Sequence, residues 1–195
     1  MDRYFIIYKP YKMLSQFVCS HKNKRLLGDL NFDFPLGTNA VGRLDDNSEG
    51  LLILTTDKKM SGTFLLPEKK HKRVYIVQVE KIVSPENIER LTKGVYITTP
   101  REGQYLTKPC EAEIISRPDW LPERGHEFRI DLPQTWIKLT LMEGKFHQVR
   151  KMTSVIGHPT KRLIRTHIEN ISVVGMQPGE VKELSREDIF TLLNS

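Results

Sequence analysis

Cysteine is nearly absent from this chain. Cys19 and Cys110 are its two thiols among 195 residues, and they lie far apart. Two such residues make neither a disulfide framework nor a CxxC pair, so a stapled secreted scaffold is excluded and a reducing compartment is the expectation. Long apolar runs are missing as well. The opening Tyr4-Phe5-Ile6-Ile7-Tyr8 stops at Lys9-Pro10, too short for a signal peptide. Nothing approaches the roughly 20 apolar residues of a membrane span, so the expected setting is cytoplasmic with no membrane partner. A GxGxxG fingerprint and a Walker A loop are both lacking, which argues against a nucleotide cofactor. The histidines at 21, 71, 126, 147, 158 and 167 show no HExxH and no zinc spacing, so no metal is expected. His126 and His167 read as surface or loop residues. Repeats and low-complexity segments are absent too.

What is present describes a globular protein. Hydrophobic residues make up 38% and charged residues 28%, enough for a packed core. Lys and Arg number 30 against 24 acids, a formal net charge of +6. That balance favours a polyanionic partner, nucleic acid first. The excess is modest, so the clustering of the cations carries more weight than their sum.

Periodicity gives a coarse map. Residues 4–8 read as a buried strand, Met13 to Cys19 as weakly strand-like, and Arg25 to Leu30 as a short helix. Ala40–Leu44 and Leu51–Thr55 read as strands around an acidic loop. Asp57 caps a helix over Lys58–Leu66 that Pro67 ends. Val74–Val79 alternates as a strand, with Tyr75, Val77 and Val79 on one face. Ser84-Pro85-Glu86 opens a helix that runs to Lys93, with Gly94 as its C-cap. Strands follow at 110–115 and 136–141, separated by an irregular excursion at 117–134. Phe146–Ile156 reads as a helix, 162–174 as one or two strands, and Ser185 opens a last helix. Strands dominate and helices interrupt them irregularly, which predicts an α+β fold with a mixed, largely antiparallel central sheet flanked by helices and loops.

Three segments could carry chemistry. The first is Gly42-Arg43-Leu44-Asp45-Asp46-Asn47-Ser48-Glu49-Gly50, a polar cluster between two apolar runs. By itself it is an ordinary turn. As neighbours on a strand, Asp45 and Asp46 point to opposite faces, which speaks against a glycosidase built on that pair. One Asp at a rigid strand end suits a single nucleophile instead. The second is Lys69-Lys70-His71-Lys72-Arg73, a run of phosphate-binding type, followed by Tyr75, an aromatic ring able to stack on an unpaired base. The plainer reading is a solvated charge run before a core tyrosine. The third is Glu143-Gly144-Lys145-Phe146-His147-Gln148-Val149-Arg150-Lys151-Met152. On a helix, His147, Arg150 and Lys151 share one side, opposite an apolar one. A further basic cluster, Lys161-Arg162 with Arg165, follows.

Taken together, these segments resemble a known family. Gly42-Arg43-Leu44-Asp45 with Ser48-Glu49-Gly50-Leu51-Leu52-Ile53-Leu54-Thr55 is similar to the GRLD-x-x-[ST]-x-GLL-[LIV]-LT signature of the RsuA/RluB/E/F pseudouridine synthases. Lys72-Arg73-Val74-Tyr75 matches its basic-plus-tyrosine strand, and 143–152 its EG-[KR]-x-x-QV-[RK]-[RK]-M motif. Tyr8-Lys9-Pro10 resembles its N-K-P strand, with Tyr8 in place of Asn. The matches run in family order over nearly the whole chain. Lys9-Pro10-Tyr11, Leu14-Ser15-Gln16-Phe17, Trp120, Trp136–Leu141 and Arg162-Leu163-Ile164-Arg165 point to the RluE branch, which modifies 23S ribosomal RNA.

The resemblance implies a pseudouridine synthase fold, two lobes around a catalytic cleft, and one catalytic domain over 1–195 without an N-terminal S4 domain. It implies isomerisation of a uridine in 23S rRNA or a large-subunit precursor, by a monomer that needs no cofactor. Asp45 would be the essential carboxylate, Tyr75 the ring against the uracil and Arg150 the partner of Asp45. RNA contacts would come from Arg43, Lys69, Lys70, Lys72, Arg73, Lys145, His147, Gln148, Lys151, Lys161, Arg162 and Arg165. The alternative is a catalytically silent RNA-binding protein in ribosome assembly; a hydrolase of nucleosides or glycosides is the remaining rival.

Overall fold

A computed structural model describes residues 2–20, 23–64, 70–124 and 132–194. Its elements, in chain order, are β1 (Tyr4–Lys9), β2 (Asn39–Val41), β3 (Glu49–Thr55), α1 (Lys58–Thr63), β4 (Arg73–Glu80), α2 (Pro85–Lys93), β5 (Tyr96–Thr99) and β6 (Gly103–Leu106). There follow β7 (Glu111–Ile115), β8 (Gln134–Leu141), α3 (Gln148–Val155), β9 (Thr160–Ile168), β10 (Ile171–Ser172), β11 (Val181–Leu184) and α4 (Arg186–Asn194). A single 3-10 turn stands at Leu27–Asp29, where the sequence predicts a short helix. The fold is α+β with a mixed, mostly antiparallel sheet, as expected.

The chain divides into two compact units, 1–71 with 164–195, and 72–163. β9 crosses the division: residues 160–163 count with the second unit and 164–168 with the first.

In the first unit β1 pairs antiparallel with β3, from Tyr4 opposite Thr55 to Lys9 opposite Gly50. Its other edge takes β11, with Tyr4 opposite Leu184. The far edge of β3 is shared: 53–55 pair with β2, and Glu49 and Gly50 pair in parallel with Ile164 and Arg165 of β9. β1 and β3 are buried along their whole length, which is why both read as continuous rather than alternating apolar runs. Phe5, Ile7, Leu52 and Leu54 pack with Met13, Leu27 and Leu30, and against Phe17, Phe32 and Phe34. Residues 13–19 form no strand; Met13 makes an isolated bridge to Arg25. The Asp57 side chain caps α1 by accepting from the Lys59 and Met60 amides at 2.9 and 3.1 Å. The expected end of that helix at Leu66 and Pro67 lies outside the described residues.

In the second unit β8 is central, flanked by β4 and β7, all antiparallel. Tyr75, Val77 and Val79 do share one face, packed with Ile137, Leu139, Leu141, Leu91, Val149 and Met152. α2 runs from Pro85 to Lys93 between a Ser84 N-cap and Gly94. Gly94 is required there: its φ is +96°, and a Cβ would stand 2.2 Å from the Thr107 carbonyl oxygen. The β5–β6 hairpin forms a separate two-stranded sheet.

Candidate active site

The β2–β3 loop is held from below by a buried hydroxyl. Ser15 Oγ donates to the Leu44 carbonyl at 2.7 Å and accepts from the Leu44 amide at 2.9 Å. The loop turns sharply, with the Ser48 amide donating to the Asp45 carbonyl at 3.0 Å. Asp45 is thus half-buried in a turn, not on a strand. This differs from the expected strand end; Gly42, with φ of +72°, lets the chain leave β2 early. Arg43 is exposed. Asp46 is engaged elsewhere, by Lys24 Nζ at 3.1 Å, and that hydrogen bond holds its carboxyl below the usual range.

Lys9 is a residue that the motif spacing does not assign to this site. It is fully buried at the end of β1, donating to the carbonyls of Pro10 at 2.9 Å and Met13 at 2.7 Å. Burial drags its ammonium down to about 8, while the charges of Asp46, Glu49 and Asp45 pull the other way. The signal was visible: a lysine closing an uninterrupted apolar run has nowhere to go but inside, and there it needs oxygen acceptors.

The second unit presents Tyr75 and Arg150. Tyr75, on β4, is 9% exposed with its ring in the apolar core. Arg150 is half-buried on α3. The turn before α3 is built around Glu143, whose carboxylate accepts from Tyr105 Oη at 2.6 Å, the Lys108 amide at 2.9 Å and Gln148 Nε2 at 2.7 Å. Gln148 Oε1 in turn accepts from the Lys145 amide at 2.8 Å. His147 takes the left-handed conformation, φ +53°, so α3 begins at Gln148 rather than at Phe146. Even so, His147, Arg150 and Lys151 line one groove, as their spacing predicts.

The remaining cations divide by exposure. Lys70, Lys72 and Lys161 reach solvent, and Lys161 pairs with Glu80. Lys145 is half-buried and binds Glu102 at 2.5 Å. Lys69 lies outside the described residues, as do His21 and His126. Four of the residues expected to meet RNA lie deeper. Arg73, Gln148, Arg162 and Arg165 are all buried. Arg162 Nη1 donates to the Pro122 carbonyl at 2.9 Å and Arg165 Nε to the Leu51 carbonyl at 2.9 Å. In each, that guanidinium nitrogen braces backbone. His167 is on β9, not in a loop, with Nδ1 2.9 Å from Thr166 Oγ1.

A family model described as RNA pseudouridylate synthase matches residues 3–155. The chain belongs to that family. A Vibrio vulnificus protein called ribosomal large subunit pseudouridine synthase E is 39% identical over 189 residues, covering 94% of this chain and 76% of that protein. A Xanthomonas campestris protein of the same name is 35% identical over 176 residues, covering 90% and 91%. A pseudouridylate synthase crystal structure has a TM-score of 0.75 at 25% identity and covers 98% of this chain and 74% of its own. Human RNA pseudouridylate synthase domain containing 1, 14% identical with a TM-score of 0.55 over 99% and 91%, shares the fold. The protein is therefore an RNA pseudouridine synthase, an isomerase. Its motif segments fall on the loop, strand and helix described above. Among the described residues of the synthase, no helix is long and apolar enough to cross a membrane.

Proposed function

We propose that the synthase isomerises a uridine of 23S ribosomal RNA, in the cytoplasm, as a monomer whose residues 1–195 form one catalytic domain. The large-subunit relatives, 35–39% identical over nine-tenths of the chain, carry this reading. In the reaction the bond from the sugar to N1 of uracil breaks, the base rotates, and a bond to C5 forms as the C5 proton leaves.

The family motifs assign the roles. Asp45 is the essential carboxylate, in a loop that Ser15 immobilises. The same motifs count Arg150 among the catalytic residues. Tyr75 stacks against the uracil. The target base must leave its stack first, at a cost of roughly a few kcal/mol. Phosphate contacts from Arg43, Lys70, Lys72, Lys145, His147, Lys151 and Lys161 offset that cost.

The test is tritium release from 23S rRNA transcribed with 5-tritiated uridine. Wild-type protein releases label and Asp45→Asn does not, while Asp45→Asn still binds the transcript within a small factor. An Asp45→Asn protein that turns over normally removes Asp45 from the chemistry. A wild-type protein that binds 23S rRNA and releases nothing from it removes that RNA as the substrate.

A further inference from the structure

The groove between β5 and α3 shares Arg150 with the proposed catalytic set, but its apolar surface at Tyr96 and Val155 has no part in the roles given above. It is an open groove of about 410 Å³. One wall is Tyr96, Ile97 and Thr98 of the β5–β6 hairpin; the other is the His147, Arg150, Lys151 and Val155 side of α3. Tyr96 is 59% exposed and Val155 44% exposed, apolar surface that the fold itself does not need to leave open. No carboxylate is among the lining residues, whereas two permanent cations are. Phe146, 58% exposed, adjoins it: His147 stacks on its ring at 3.8 Å and Lys151 Nζ lies 5.0 Å from the ring centre.

The hairpin is fastened in place. Tyr105 on β6 donates to Glu143 at 2.6 Å, and Lys145 bridges to Glu102 at 2.5 Å while covering the Tyr105 ring at 4.3 Å. These contacts tie β6 to the turn before α3, so the groove is preformed.

We infer that this groove is a stacking subsite for an unpaired nucleotide of the bound RNA, the base lying on Tyr96 and its phosphate meeting Lys151. The inference rests on the RNA reading above. The chemistry fits that occupant: a flat apolar face beside cations and without acids suits a base with its phosphate. Because bases stack with little regard to identity, the subsite discriminates unpaired from paired RNA rather than one sequence from another.

The test is fluorescence anisotropy with a labelled single-stranded oligouridylate and, separately, a labelled RNA duplex of equal length. Tyr96→Ala weakens single-strand binding about tenfold and leaves its salt slope and the duplex affinity unchanged. Tyr96→Phe, which keeps the ring, binds within about twofold. Lys151→Gln lowers the salt slope by about one. Val155→Glu, which sets a carboxylate in the groove on an exposed position, weakens the single strand about tenfold as well. Unaltered single-strand affinity in both Tyr96→Ala and Val155→Glu overturns the subsite, as does a Tyr96→Phe protein as weak as Tyr96→Ala. Such a result with wild-type protein that still releases tritium from 23S rRNA leaves the functional reading intact; absent tritium release with normal single-strand discrimination does the reverse.

Discussion

Gly50 and Arg165 touch backbone to backbone: a Cβ on Gly50 would stand 2.3 Å from the Arg165 carbonyl oxygen, and the glycine has φ of +98°. This approach joins β3 to β9 in parallel, directly after the Asp45 loop.

Gly50→Ala should therefore be severe. Both the left-handed backbone and the close approach oppose a side chain, and neither neighbour is a flexible tip. A loss of at least about 2 kcal/mol is expected in urea unfolding. Stability within a few tenths of wild type would show that β3 and β9 are not so close.

Lys9 predicts a pH dependence. A lysine outside the fold titrates at 10.5, and this one at about 8. Between those values the unfolded chain holds a proton that the folded one has shed, so stability rises with pH across that window. Below it, both states are charged and the cost of burying the ammonium is fully present. Relative to Lys9→Met, the wild-type protein should gain about 3 kcal/mol on going from below 8 to above 10.5. Urea titrations of both proteins at the two ends check this; a constant difference refutes it.

Tyr105 reports on the Glu143 junction. Burial first, then its hydrogen bond to Glu143, pushes the phenol up to about 12. Glu143→Ala should lower that value toward 10, seen as phenolate absorbance appearing at lower pH. The same change leaves the buried Gln148 amide with one partner fewer, and a loss of about 1–3 kcal/mol should accompany it in thermal melts. An unmoved phenol would break the link.

Lys70 and Lys72 are exposed and outside the core. Reversing both charges should weaken binding of 23S rRNA in a salt-dependent way, lowering the slope of log affinity on log salt by about one for each phosphate that the pair neutralises. Weakening that ignores salt would instead signal a disturbed β4.

Local chemistry was legible where it is strong. Ser84, Pro85 and Gly94 mark α2 to the residue, because cap and punctuation act on their own neighbours. The faces of β4 followed from alternation, since one side meets the core of α2, α3 and β8. β5, β6 and β11 were not foreseen. β5 alternates exposed and buried residues but is only four residues long, and β6 and β11 bury little; tertiary pairing makes them strands. Charge by itself did not reveal depth. Arg73, Arg162 and Arg165 looked like neighbours of Lys70 and Lys161, but all three lie on strands and are buried, and two of them donate to carbonyls. No local rule separates a buried arginine from an exposed one.

The first unit is assembled from the two ends of the chain, and β1 finds its partner β11 almost at the other terminus. The second unit is one uninterrupted stretch. During synthesis the stretch from 72 to 163 is complete while β1 still lacks β11 and β3 still lacks residues 164 and 165 of β9. The apolar β1 must therefore wait, unsheltered along one edge, until residues 181–184 are made. That edge of β1 is open to aggregation or chaperone capture while the residues between β1 and β11 are being made.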